Sequence, residues 1–156
     1  GINLSAQQQD DVANFLRVLN ASFNLALSIQ RNDAAISLEN SSFSPTPDSS
    51  PCIDLDGNPC PNPDPTPSKV ETVNELLQLA NAEAQDAIDD LQPKGLHADA
   101  VTLLQTAISQ NNQAIAESSS RTRKSLMSSA RSNLASAKAK FGTGLDFTLG
   151  SGNLEF

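Results

Sequence analysis

From Leu4 to Phe141 one pattern dominates the chain: apolar residues three and four positions apart with polar residues between them. That spacing places one apolar stripe along a helix and predicts amphipathic helices rather than strands. The first runs from about Ala6 to Asn20, with Val12, Phe15, Leu16 and Leu19 as a stripe facing a core. Ser5 is a good N-cap, and Gln8 three residues on can close a capping box. A second helical stretch, from Ser22 to about Asn40, carries Phe23, Ala26, Leu27, Ala34, Ala35 and Leu38, and the two could form one long helix. Ser68 restarts the pattern with Glu71 in capping-box position, and Val70, Val73, Leu76, Leu77, Ala80, Ala84, Ala87, Ile88 and Leu91 form its stripe up to Pro93-Lys94-Gly95. From His97 the stripe is Val101, Leu104, Ile108 and Ile115, continued by Leu126, Ala130, Leu134, Ala137 and Phe141. No Pro or Gly interrupts residues 96–141, so this is either one very long helix or two joined near Ser118 to Ser120.

The pattern stops in two places. Residues 41–67 hold eight of the nine prolines and form a linker or excursion. After Gly142 the period changes from helical to two: Leu145, Phe147, Leu149, then Gly150-Ser151-Gly152, then Leu154 and Phe156, the signature of a hairpin. The expected fold is all-α, an antiparallel helical bundle of three to five helices with a Pro-rich disulfide loop and a short C-terminal β-hairpin. Its parts are an N-terminal helical segment 1–40, the loop 41–67, a helical hairpin or bundle 68–141 and the hairpin 142–156. A length of 156 residues fits one domain with a real core.

The segment Leu-Ser-Ala-Gln-Gln-Gln-Asp-Asp-Val-Ala-Asn-Phe-Leu-Arg-Val-Leu, residues 4–19, resembles the closing helix of di-haem cytochrome c peroxidases and their relatives. There a Leu-Ser/Thr cap, a polar run and a V-x-x-F-L-x-x-L tail pack against the haem domain. The resemblance covers about a tenth of the chain and implies a tail or partner of a c-type haem protein. Covalent haem attachment needs C-x-x-C-H. The chain's two cysteines, Cys52 and Cys60, stand eight apart with no His following, so no haem or catalytic residue carries over.

Cys52 and Cys60 lie in a Pro- and Gly-rich stretch, where a disulfide is the economical reading. Closing so short a loop contributes on the order of 2 to 3 kcal/mol in the chain-entropy model and calls for an oxidising space, periplasmic or extracellular. Labelling of both thiols without reductant would overturn that reading. Between them Asp54, Asp56 and Asn58 follow calcium-loop spacing, but Pro59 and Pro65 stand where an EF-hand needs Gly and Glu. An Asp-Gly turn is the simpler reading.

Charge changes the picture in two ways. A net charge of −8 argues against non-specific binding of nucleic acid or anionic membrane. Residues 68–92 carry one Lys against six acids, whereas Arg121, Arg123, Lys124, Arg131, Lys138 and Lys140 face no acid between residues 121 and 140. Laid antiparallel these helices would be complementary, and the basic stripe is a candidate surface for an acidic partner. No apolar run approaches the roughly 18 residues of a membrane span, and no signal peptide is present, so Gly1 reads as a processed start or the start of a fragment.

Catalytic chemistry is scarce. His97 is the sole histidine, expected at the surface or at a helix start; Met127 packs; Ser118, Ser119 and Ser120 have no base; Asp89 and Asp90 diverge on a helix. Two function classes remain. One is a non-catalytic extracytoplasmic domain or subunit that assembles with a cytochrome c peroxidase-like partner in electron transfer, with haem c in that partner and no cofactor of its own, calcium aside. The other is a stand-alone secreted or surface structural protein assembling through its helices and hairpin. Peroxidase-type activity belongs to this chain only if a haem-bearing portion is attached.

Overall fold

A computed structural model describes residues 3–42, 53–59 and 67–142. They form four α-helices: α1 (Ala6–Asn40), α2 (Lys69–Leu91), α3 (Ala98–Ala116) and α4 (Ser120–Ala139). The all-α bundle expected from the periodicity is present. Cys52, Cys60 and the hairpin residues 143–156 lie outside the described residues.

Local chemistry sets the helix ends. Ser5 Oγ accepts the Gln8 N–H at 3.2 Å while Gln8 Oε1 accepts the Ser5 N–H at 2.9 Å, so α1 starts on a closed capping box. Ser68 and Glu71 do the same for α2. α1 runs unbroken through Asn20, because no Pro or Gly removes a backbone bond there. The long 96–141 stretch resolves into two helices. α3 ends at Glu117, whose carboxylate accepts the Ser119 N–H at 2.9 Å, and Ser119 Oγ in turn accepts the Thr122 N–H at the start of α4. Between α2 and α3 a single 3-10 turn, Gln92–Lys94, gives way to Gly95 and His97, both left-handed at φ 64° and 46°.

Each helix is antiparallel to its neighbours. Arg17 reaches the Asp90 carbonyl, Ser28 the Ala80 carbonyl, and Lys69 the Ser41 carbonyl, which fixes α1 against α2 over residues 17–41. α2 packs on α3, α3 on α4, and α4 on α1, closing an up-down-up-down bundle. α2 therefore lies across the diagonal from α4. The expected pairing of acidic α2 with basic α4 is not made, since short loops make sequence neighbours into spatial neighbours and leave alternate helices apart.

The interior has two apolar cores. The larger gathers fifteen buried residues around Leu25, Ile88, Leu91, Leu104, Leu134 and Phe141; the smaller has five, Ala35, Val73, Leu77, Ala114 and Met127. Half of the buried apolar residues of the bundle are alanines, so helices approach closely with little side-chain bulk between them. A polar layer separates the two cores. Ser28 Oγ donates to the Ala80 carbonyl at 2.7 Å, Asn32 Nδ2 to Asn111 Oδ1 at 2.8 Å, and Asn111 Nδ2 to Asn81 Oδ1 at 3.0 Å. Such a buried chain of amides holds only in the register that pairs every member but one; Asn32 Oδ1 is left without a donor.

Candidate docking face

α1 is 35 residues long against 23 for α2, and its contact with α2 starts at Arg17. The first eight residues of α1, Ala6 to Ala13, are all exposed and form an overhang of about 12 Å at 1.5 Å per residue. Within this overhang and just above it, Leu4, Val12, Phe15, Leu16 and Phe23 are 42 to 56 % exposed. Helical phase explains why. At about 100° per residue Val12, Leu16 and Phe23 fall about 100° to 180° from Val18, Ala21, Leu25, Ser28, Asn32 and Ala35, which face the bundle, while Phe15 lies between the two sides, about 60° from Val18. The expected stripe of Val12, Phe15, Leu16 and Leu19 does not face this bundle's core. α1 turns Val18, Leu25 and a row of small or polar residues inward and a bulkier apolar strip outward.

Val12, Phe15, Leu16 and Phe23 form the outward apolar face, set apart from Leu4 by the exposed polar run Gln7 to Asp11, and it gives way to the exposed Gln30, Ala34 and Ser37 higher up. Asp10 projects from another side of the helix, whereas Asp11, four residues before Phe15 and about 40° from it, borders the apolar strip. α1 is also the one described helix long and apolar enough to cross a membrane, with an 18-residue window of mean hydropathy 1.2, a third of it buried in the bundle.

The six basic residues do not form one surface. Arg123 is 2 % exposed and belongs to the interior, where Nε contacts Glu39 Oε1 at 3.3 Å; it is removed from the candidate partner surface because its heptad phase matches that of Met127, Ala130 and Leu134. Arg131 pairs with Asp33 on α1 at 3.0 Å, and Lys140 lies 3.7 Å from Asp99 on α3. Lys138 is half-buried and has a partner of its own, Lys124 is half-buried, and Arg121 is exposed.

Asp54, Asp56 and Asn58 stand in a turn closed by an antiparallel bridge between Ile53 and Pro59. Asp54 Oδ1 accepts the N–H groups of Asp56 and Asn58 at 3.0 and 2.8 Å, and Gly57 supplies the required φ of 82°. This is the capped Asp-Gly turn of the simpler reading. Among the described residues no group of three or more His, Cys, Asp or Glu side chains is assembled.

Other candidates have structural roles. His97 meets Phe141 edge-on at 5.0 Å and makes no side-chain cap bond; Met127 is fully buried; Ser119 caps α4, and Ser120 donates to Glu39. Asp90 accepts from Asn20, and Asp89 from Gln85. An open groove of about 470 Å³ between α3 and α4 is lined by Gln110, Ser125, Ser128, Ser129, Ser132 and Asn133. It offers hydroxyls and amides but neither a base nor a charge. The residues missed from sequence are Glu39, Asn32 and Asn111, and Arg123 was read as a surface residue; all four are polar groups sitting in phase with apolar core positions, and that phase was the available signal. The chain matches no protein-family model, no curated protein and no solved structure.

Proposed function

We propose that this chain is a non-catalytic assembly domain that docks on a c-type haem protein of the cytochrome c peroxidase kind through the outward face of α1. The observation that carries this reading is the uncovered apolar strip, Leu4, Val12, Phe15, Leu16 and Phe23, which coincides with the segment that resembles a cytochrome closing helix. Electron transfer and any peroxidase chemistry belong to the partner. The pair would work outside the cytoplasm, where c-type haem proteins and an oxidised Cys52–Cys60 pair are at home.

The area decides between occupants. Five large side chains, each about half exposed, offer roughly 400 Å², half of the ~800 Å² that one side of a stable free interface contributes. At ~25 cal/mol per Å² that burial yields about 10 kcal/mol before association costs of similar size. A second copy meeting the strip alone would bind weakly. A haem domain that closes around the helix adds the surface that is lacking.

The test mixes the purified chain with a di-haem cytochrome c peroxidase and follows haem absorbance through gel filtration. Co-elution is expected for the natural sequence and is lost, by at least tenfold in affinity, in the double variant Phe15→Asp/Leu16→Asp, whose helix content stays unchanged because neither residue touches the bundle interior. Separate elution of the haem protein from the natural chain at tens of micromolar sinks the haem-partner reading. Persistent binding by the double variant moves the interface elsewhere.

A further inference from the structure

We infer that the bundle opens in two stages, and that Arg123 is the latch that keeps the end bearing the 42–68 connection closed while the end bearing the outward face of α1 stays folded. One guanidinium ties all four helices together. From α4, Arg123 Nε donates to Glu39 Oε1 on α1 at 3.3 Å and Nη2 to Asn74 Oδ1 on α2 at 3.0 Å. Nη1 donates to the carbonyls of Ala114 and Glu117, at 2.9 and 3.3 Å, which end α3. Ser120 Oγ adds a bond to the same Glu39 oxygen at 3.0 Å. Nη1 thereby adds a second donor to the Ala114 carbonyl, which also accepts the Glu117 N–H, and serves the Glu117 carbonyl at the negative end of the α3 dipole.

The apolar support at this end is small. Five buried residues lie between the latch and the amide layer, against fifteen beyond that layer. Glu39 Oε2 at this end has no donor, and neither has Asn32 Oδ1 in the amide layer; beyond the layer Ser22 Oγ is also unpaired, but the charged oxygen costs the latch end more. Opening free energy follows local apolar burial and polar satisfaction, so the two ends separate at different costs. The amide layer is the natural boundary, since breaking it exposes polar groups that water can serve. Removing the guanidinium leaves the buried Glu39 carboxylate without its countercharge, held only by the Ser120 hydroxyl, and takes one donor from each of two carbonyls, a loss concentrated on one side of that boundary.

Native-state hydrogen exchange read by mass spectrometry tests this on the full chain. Amides of residues 33–40, 71–77, 111–116 and 123–128 are expected to exchange through one shared opening, faster than residues 84–91, 101–107 and 130–137. Arg123→Met raises exchange in the first set at least tenfold and in the second less than twofold. Asn74→Ala, which removes one latch bond and keeps the guanidinium, gives a smaller rise confined to the same set and serves where Arg123→Met fails to fold. Equal acceleration of both sets, or of neither, overturns the inference.

Discussion

Ser68 and Glu71 hold each other at the start of α2, and the exchange leaves a mark on the acid. The Ser68 N–H, and after it the Ser68 hydroxyl, hold the Glu71 carboxyl below its ordinary value, with the small desolvation there opposing them. A depressed folded value stabilises the protein above the unfolded-state pKa, and the contribution disappears as pH falls through the folded value. Ser68→Ala is therefore expected to raise the Glu71 pKa toward that of a free glutamate in an NMR titration, and to weaken the loss of α2 stability on acidification. An unmoved Glu71 titration in the variant would contradict the capping account. Both capping boxes were legible in the sequence because their chemistry is local. The amide layer and the Arg123 cluster were not, because a polar residue in core phase gives up its place in an apolar stripe, and only its partners on three other helices reveal what it does.

At the level of elements, α1 shows where periodicity is informative and where it misleads. The bulky positions Val12, Phe15, Leu16 and Leu19 marked a helix correctly but marked the wrong face as the bundle side. The inward face is built from Val18 and Leu25 together with Ala21, Ser22, Ser28, Asn32 and Ala35, five small or polar side chains that contribute little to an apolar pattern. Helix α3 ends for reasons as local as a capping box, so the Ser118 to Ser120 break could be placed in advance although its existence could not. Because the two faces of α1 share one rigid helix, their relative angle is fixed. Inserting one alanine between Leu16 and Arg17 turns the overhang by about 100° against the bundle. Calorimetry should find the bundle transition unchanged, while affinity for the haem protein falls tenfold or more. A four-residue insertion, within about 40° of a full turn, should retain more of that affinity; equal binding by both insertions would mean that the strip does not act as one surface with Phe23.

For the whole molecule, the sequence showed that three to five helices would bundle, and connection lengths then decided which helices touch. Acidic α2 and basic α4 looked made for each other in composition. Their places across the diagonal send Arg131 to Asp33 on α1 and Lys140 to Asp99 on α3 instead. Exposed pairs of this kind are worth about 0 to 1 kcal/mol, too little to reorder the helices against the demand of short turns. The exposed strip on α1 was legible as an apolar stripe. Its outward orientation needed the positions of the other three helices.

The alanine-rich interior has a thermal consequence. Unfolding exposes less apolar area per residue when half of the buried apolar positions carry a single methyl group, and a larger share of what it exposes is amide. Apolar exposure raises the heat capacity and polar exposure lowers it, so the heat-capacity increment should fall below the ~12 cal/mol/K per residue typical of folded domains. Scanning calorimetry at several pH values measures it directly, and an ordinary increment would mean that residues outside the bundle bury substantial apolar surface. A small increment flattens the dependence of stability on temperature, so that the fold changes little in strength between cold and warm surroundings.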